Sequence, residues 1–308
     1  MAAKTRKEKP TGSTENKKAE ISSNISMNED NKSNKNTEIA KEDTIKEILS
    51  STENDTSLEK KEINGTISST KRGLQKAQTY LHLIDGEKGG VGKSFFARAL
   101  CHYFENESDT RVSVVDADAT NPDVFRVYGG QEIIFSEDEQ KSFDADEIFN
   151  IALSQSVLVN LPAQISNVVN SWYERNNILE LAKQPEVNIK ICKWFVSTGA
   201  FDSIELFKKS LSSYGGMIQH ILIQNLAFRD EWKSVADELK EETEKYSVLR
   251  LDFPKLAYKE RDFILKEQLK FENARVAEEI GILGRQRVET FIKSFVSSIK
   301  KVEENLHK

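Results

Sequence analysis

Apolar positions along this 308-residue chain fall into two regimes. Up to about residue 77 they are sparse and scattered. Beyond it, short continuous apolar runs alternate with longer stretches whose apolar residues recur at spacings of three and four. The short runs, over 80–84, 112–115, 157–160, 187–197, 221–223 and 247–253, predict strands covered on both faces. The longer stretches, over 93–106, 165–181, 202–211, 230–245 and 285–306, predict helices. In the first of these Phe96, Ala99, Leu100 and Tyr103 share one face. The 230–245 helix is charged and is expected to be exposed. Ile133, Ile134 and Phe135 predict a further short strand after the Gly129-Gly130 break, and the remainder of 131–153 has no clear period. Strands alternating with helices predict an α/β fold with a mainly parallel sheet and helices on both faces, in three layers. The expected division is a polar tail over 1–77 and one ordered domain over 78–308.

Composition sharpens that division. The chain is 38% hydrophobic and 31% charged. Residues 1–77 contain no aromatic residue, so they cannot bury enough apolar surface to offset chain entropy and are expected to be disordered. Ile39, Ile45, Ile48 and Leu49 leave a weak helical pattern within the tail, and its first segment, 4–18, leans basic. A formal net charge of −6 argues against a globally basic nucleic-acid binder, while local basic patches stay open. Cys101 and Cys192 both lie in apolar patterns and read as buried reduced thiols, as expected of a cytoplasmic protein. No apolar run reaches the length that spans a bilayer. The apolar stripe of 285–306, from Val288 to Leu306, is interrupted by Glu289, Glu303 and Glu304, which favours packing on the core over membrane docking.

The chemistry begins where the first predicted strand ends. Lys88-Gly89-Gly90-Val91-Gly92-Lys93-Ser94-Phe95 links a buried strand to a helix, the context of a phosphate-binding loop. The glycines let backbone N–H groups turn inward toward an anion, and the helix adds the positive end of its dipole. Lys93 suits the β- and γ-phosphates, and the Ser94 hydroxyl suits Mg²⁺. The usual first glycine of such a loop is absent, and Glu87 occupies its place. Two further features stand at strand ends, on the ligand edge of an open α/β sheet. Asp116-Ala117-Asp118 follows the second strand, and Asn160 ends the strand that begins near Val157. His82 in the first strand reads as structural.

With its early lysine, the loop resembles the deviant Walker A loop of the ParA/MinD group of P-loop ATPases. The resemblance implies a P-loop domain over 78–308 that binds ATP with Mg²⁺ and dimerises around it. Lys88 would reach the partner's nucleotide, Asp116 would support the magnesium shell, and Asp118 would orient the attacking water. Asn225, at the end of the 221–223 strand, would read the adenine edge. Asn160 departs from the family, which has an aspartate there, and an amide implies slow hydrolysis. The expected partners are a second copy and a protein partner. Nonspecific DNA is a further candidate through the basic residues of 255–287, and a membrane is not expected. The divergent second half looks more like the ATPases of plasmid mobilisation and conjugal transfer than like chromosome-partition or division-site proteins. The alternatives are a nucleotide-gated adaptor with negligible turnover and an ATP-dependent ligase or synthetase. An iron–sulfur reductase lacks its cluster cysteines here.

Overall fold

A computed structural model describes residues 76–86 and 88–306. The expectation of a disordered tail over 1–77 lies almost wholly outside the described residues. Seven strands form one sheet: β1 Thr79–Asp85, β2 Val112–Asp116, β3 Gln131–Glu132, β4 Ser156–Asn160, β5 Ile189–Ser197, β6 Gln219–Asn225 and β7 Leu249–Phe253. Their order is β3-β2-β4-β1-β5-β6-β7, and every pairing is parallel. The strand order reverses at β1, so the carboxyl end of β1 opens beside β4 and β5, where such sheets bind ligands.

Among the described residues, eleven α-helices lie between the strands or follow the last of them. One face carries α1 Lys93–Asn106, α2 Asp123–Tyr128, α9 Tyr258–Lys266, α10 Phe271–Ala274 and α11 Gly281–Leu306. The other carries α3 Asp146–Ala152, α4 Ser166–Arg175, α5 Ile178–Leu181, α6 Phe201–Tyr214, α7 Lys233–Glu238 and α8 Lys240–Lys245. The three-layer expectation holds. The first face has an aromatic centre, in which Phe95 and Phe96 of α1 meet Phe253 of β7, Phe271 of α10, and Phe291 and Phe295 of α11. The stripe of α11 is therefore core: Val288, Phe291, Phe295, Ile299 and Leu306 are buried. Among the described residues no helix is long and apolar enough to cross a membrane.

Three local expectations change. The 165–181 helix breaks in two because Asn177 takes a left-handed φ of 49°. The 230–245 stretch is also two helices, and it is not simply exposed. Trp232, Val235 and Leu239 are buried with Phe195, Phe207 and Leu222, and the charged residues cover only the outer side. The short strand falls at 131–132 rather than 133–135. There Gln131 and Glu132 pair with Val115 and Asp116, and Ile133 and Phe135 then turn into the core. His82 is structural as expected: it is buried, and its Nδ1 accepts the Trp194 indole N–H at 3.1 Å. Both cysteines are buried free thiols.

Candidate functional site

The loop between β1 and α1 is held from below and from the side. Under it, Asp85 accepts the Gly86 N–H at 2.6 Å and pairs with Lys193 of β5 at 2.7 Å, both side chains being buried. This buried pair fixes the end of β1 against β5. From the side, Asn225 donates its Nδ2 to Val91 O at 2.9 Å, while its Oδ1 accepts the Ala227 N–H at 3.0 Å. Gly92, at φ 97°, must be glycine for two reasons: its backbone is left-handed, and a Cβ there would sit 2.8 Å from Asn225 Nδ2. Added at Gly89 or Gly90, by contrast, a Cβ would meet nothing within 4 Å. The middle of the loop is uncrowded where those Cβ atoms would lie.

The loop residues named from sequence divide by role. Lys93 is buried and donates to Lys88 O at 3.0 Å, so its ammonium arches back over the loop. Ser94 is half-buried in the first turn of α1, and Val91 is buried beneath it. The Phe95 ring packs into the aromatic centre, which leaves only its backbone facing the loop. Lys88 turns away from the loop and forms an ion pair with Asp202, in the first turn of α6. This lysine holds the Asp202 carboxyl below the usual aspartate range. Both side chains are about half exposed, so the pair is weak and easily exchanged.

Across β4 lies an acid–amide pair. Asp116, Asn160 and Ile84 stand level on β2, β4 and β1, which places the pair beside the loop. Asn160 donates its Nδ2 to Asp116 Oδ1 at 2.9 Å. The same oxygen accepts the Asp118 N–H at 3.3 Å, and Oδ2 accepts the Val124 and Phe125 N–H groups of α2 at 2.9 and 3.0 Å. Four donors occupy the roughly four acceptor positions of a carboxylate. Asp116 thus anchors the start of α2 and the Asn160 amide in this arrangement. Burial pushes its carboxyl up from the ordinary value, against these hydrogen bonds, which pull it down. Asp118 Oδ1 accepts from the Thr120 N–H and hydroxyl and from the Asn121 N–H, at 2.6–3.2 Å, and shapes the turn.

Asn160 Oδ1 is buried and has no hydrogen-bond partner. An orphaned acceptor next to a buried carboxylate suits the water shell of a cation, and Ser94 supplies a hydroxyl of the kind that ligates Mg²⁺. The residues present are of the kind that a magnesium–nucleotide needs: Ser94 would be the direct ligand, and the Asp116–Asn160 pair would serve the water shell.

Four residues of this neighbourhood escaped the sequence reading. Asp85, Lys193 and Asp202 had no motif to mark them. Arg98 did leave a signal, a lone charge on the apolar side of α1. Its guanidinium is fully buried, reaches Asp123 at 3.3 Å, and donates to Leu269 O at 2.6 Å and Ile264 O at 3.4 Å. The basic residues of 255–287 are largely paired with acids: Arg261 with Asp262, Lys266 with Glu267, Lys270 with Glu105, Arg275 with Glu289 and Arg287 with Glu260.

A parallel sheet with a glycine loop and lysine at the carboxyl end of its reversal strand defines a P-loop nucleotide-binding domain. Residues 83–301 match the model of the CobQ/CobB/MinD/ParA nucleotide-binding domain, and the chain belongs to that family. Among curated proteins it is similar to Protein MobD of Acidithiobacillus ferrooxidans, with 24% identity over 207 residues, covering 65% of this chain and 88% of that protein. Among solved structures it is similar to a nucleotide-binding protein from Archaeoglobus fulgidus in complex with ADP. That likeness has 14% identity, covers 68% of this chain and 87% of the other, and has a TM-score of 0.39.

Proposed function

We propose that this protein is a slow, Mg²⁺-dependent ATPase of ParA/MinD type that dimerises around ATP and acts in the partition, mobilisation or positioning of DNA. The observation that carries the reading is the loop itself, with Lys93 folded over an open glycine cradle and a second lysine, Lys88, turned outward. The backbone N–H groups of 89–94 and the Lys93 ammonium bind the phosphates. Bound magnesium would neutralise phosphate charge at Ser94. Asp118 retains an oxygen outside its turn bonds to orient water. Lys88 exchanges Asp202 for the nucleotide of a second copy, so the surface shown to a protein partner changes with the nucleotide. With both ends of its amide used on the loop and the following turn, Asn225 supports the loop first, and adenine contact falls to its one remaining N–H. Similarity to Protein MobD favours the mobilisation branch. The paired cations of 255–287 make that surface a weak candidate for DNA.

A second reading, a nucleotide-gated adaptor with negligible turnover, is favoured by Asn160. This amide occupies the Asp116 carboxylate where the family has a second acid. One experiment covers both readings: light scattering of the full chain without nucleotide, with ADP and with ATP–Mg²⁺, alongside phosphate release. Lys93→Ala should lose nucleotide binding. Lys88→Ala should bind ATP as a monomer. ATP-driven dimers with phosphate release support the switch ATPase, and dimers without release support the adaptor. An ATP-bound monomer regardless of Lys88 would sink both and favour a ligase or synthetase on the same loop.

A further inference from the structure

The net charge of this chain is concentrated in one place. Residues 131–150 carry seven acidic residues and one lysine, Lys141, a net −6 that equals the formal charge of the whole chain. This segment forms the β3 edge of the sheet and the loop into α3. It also exposes two large hydrophobic side chains, Ile134 at 47% and Phe143 at 58%. Both line one groove of about 360 Å³, whose rim includes the carboxylates of Glu132, Asp144 and Glu147. Arg175 lies over the Phe143 ring at 5.2 Å and steadies it. Most of these acids are unpaired: among the described residues, Asp146 is the member of the segment with an ion pair, to Arg175 at 3.8 Å.

We propose that this groove docks a basic amphipathic segment of a partner protein, with aliphatic side chains seated on Ile134 and Phe143 and lysines or arginines facing the acidic rim. Charge complementarity selects the occupant. A surface this acidic repels nucleic acid and anionic membrane. It also disfavours a second copy seated symmetrically, which would bring the same acids face to face. The groove adjoins the nucleotide site, since Ile133 donates its N–H to Asp116 O at 3.3 Å. An occupant therefore presses on the strand that ends in the acid–amide pair.

The probe is a fluorescein-labelled leucine–lysine peptide of about four helical turns, with leucines at i, i+3 and i+4 spacings. Controls are a scrambled peptide of the same composition, a leucine–glutamate version and duplex DNA. Anisotropy titration of the full chain should give binding to the first alone, weakening as salt is added. Ile134→Ser with Phe143→Ser should weaken it about tenfold or more, about 1.4 kcal/mol. Glu132→Gln with Asp144→Asn should flatten the salt dependence. Ile134 and Phe143 are both exposed, and melting curves of the variants should match the parent; Ile134→Ser alone, which spares the Arg175 contact, repeats the test. No binding up to about a millimolar, equal binding of the scrambled peptide, or affinity untouched by the serine variants would each overturn the proposal.

Discussion

Replacing Arg98 by methionine tests whether the P-loop helix and the acid–amide pair are tied through one buried charge. The methionine keeps the apolar stem and removes the guanidinium. Lost first is the 2.6 Å bond to Leu269 O, a charge-assisted bond worth about 1.5–3 kcal/mol. Lost as well is the pairing with Asp123, where breaking a fully buried pair would cost about 3–5 kcal/mol. That figure is discounted here because the contact is 3.3 Å long and the Asp123 side chain keeps 15% exposure. Against these losses, the Arg98 Nε has no partner, and its removal relieves a buried donor. The net expectation is a loss of about 2–4 kcal/mol, a sizeable part of an ordinary domain stability of about 5–15 kcal/mol. Urea unfolding followed by the three tryptophans reports it, because Trp172, Trp194 and Trp232 are all buried. Asp123→Asn alone and with Arg98→Met completes a double-mutant cycle, which should show coupling of about 1 kcal/mol or more. Asp123 opens α2, whose first amides hold Asp116, so magnesium-dependent nucleotide affinity should fall with stability. A loss below about 1 kcal/mol, or full additivity with Asp123→Asn, would refute the argument.

Three further outcomes are expected. Burial lowers His220 to about 4, so the unfolded chain binds a proton below about pH 6.5 that the native chain refuses; stability is complete above that pH and falls by up to about 3 kcal/mol as pH drops toward 4. Urea titrations across that range should show the slope, and a His220→Gln variant that keeps it would assign it elsewhere. Gly130→Ala should cost about 3 kcal/mol or more, because φ is 103° and the new Cβ would lie 2.1 Å from Val114 O; a melting point near the parent's would contradict this. Asn160→Asp places a second carboxylate 2.9 Å from Asp116 in a buried site, and should destabilise the nucleotide-free protein by about 1–3 kcal/mol while raising phosphate release. Unchanged stability without magnesium and nucleotide would count against the pairing described for Asp116.

The sheet was legible because both faces are covered, which turns each strand into a near-continuous apolar run; β1, β4 and β6 could be read that way. The loop was legible because glycine and lysine at that spacing answer to phosphate geometry. What stayed hidden depended on distant partners. Nothing local in Asp202 announces Lys88, which is 114 positions away. Lys193 reads as a polar interruption of β5 until Asp85 of the neighbouring strand is set beside it. The strand end marks Asn225 as a residue for the base, but nothing local shows that its amide also donates to Val91 O, 134 positions away. The 131–153 stretch resisted assignment because its strand is two residues long and its core residues, Ile133 and Phe135, sit among exposed acids.

The aromatic centre also orders events in time. Phe95 opens the helix that follows the loop, yet its ring rests on Phe291, and Tyr103 of the same helix bonds Glu303 across 200 positions. During synthesis the glycine loop emerges well before α11, the helix whose side chains support Phe95, Phe96 and Tyr103 behind that loop. Contacts this far apart in sequence close late. In the nascent chain the helix that follows the loop therefore stays unsupported until α11 has emerged, and a chain stopped before Gly281 should fail to retain labelled ATP, even though it holds every loop residue.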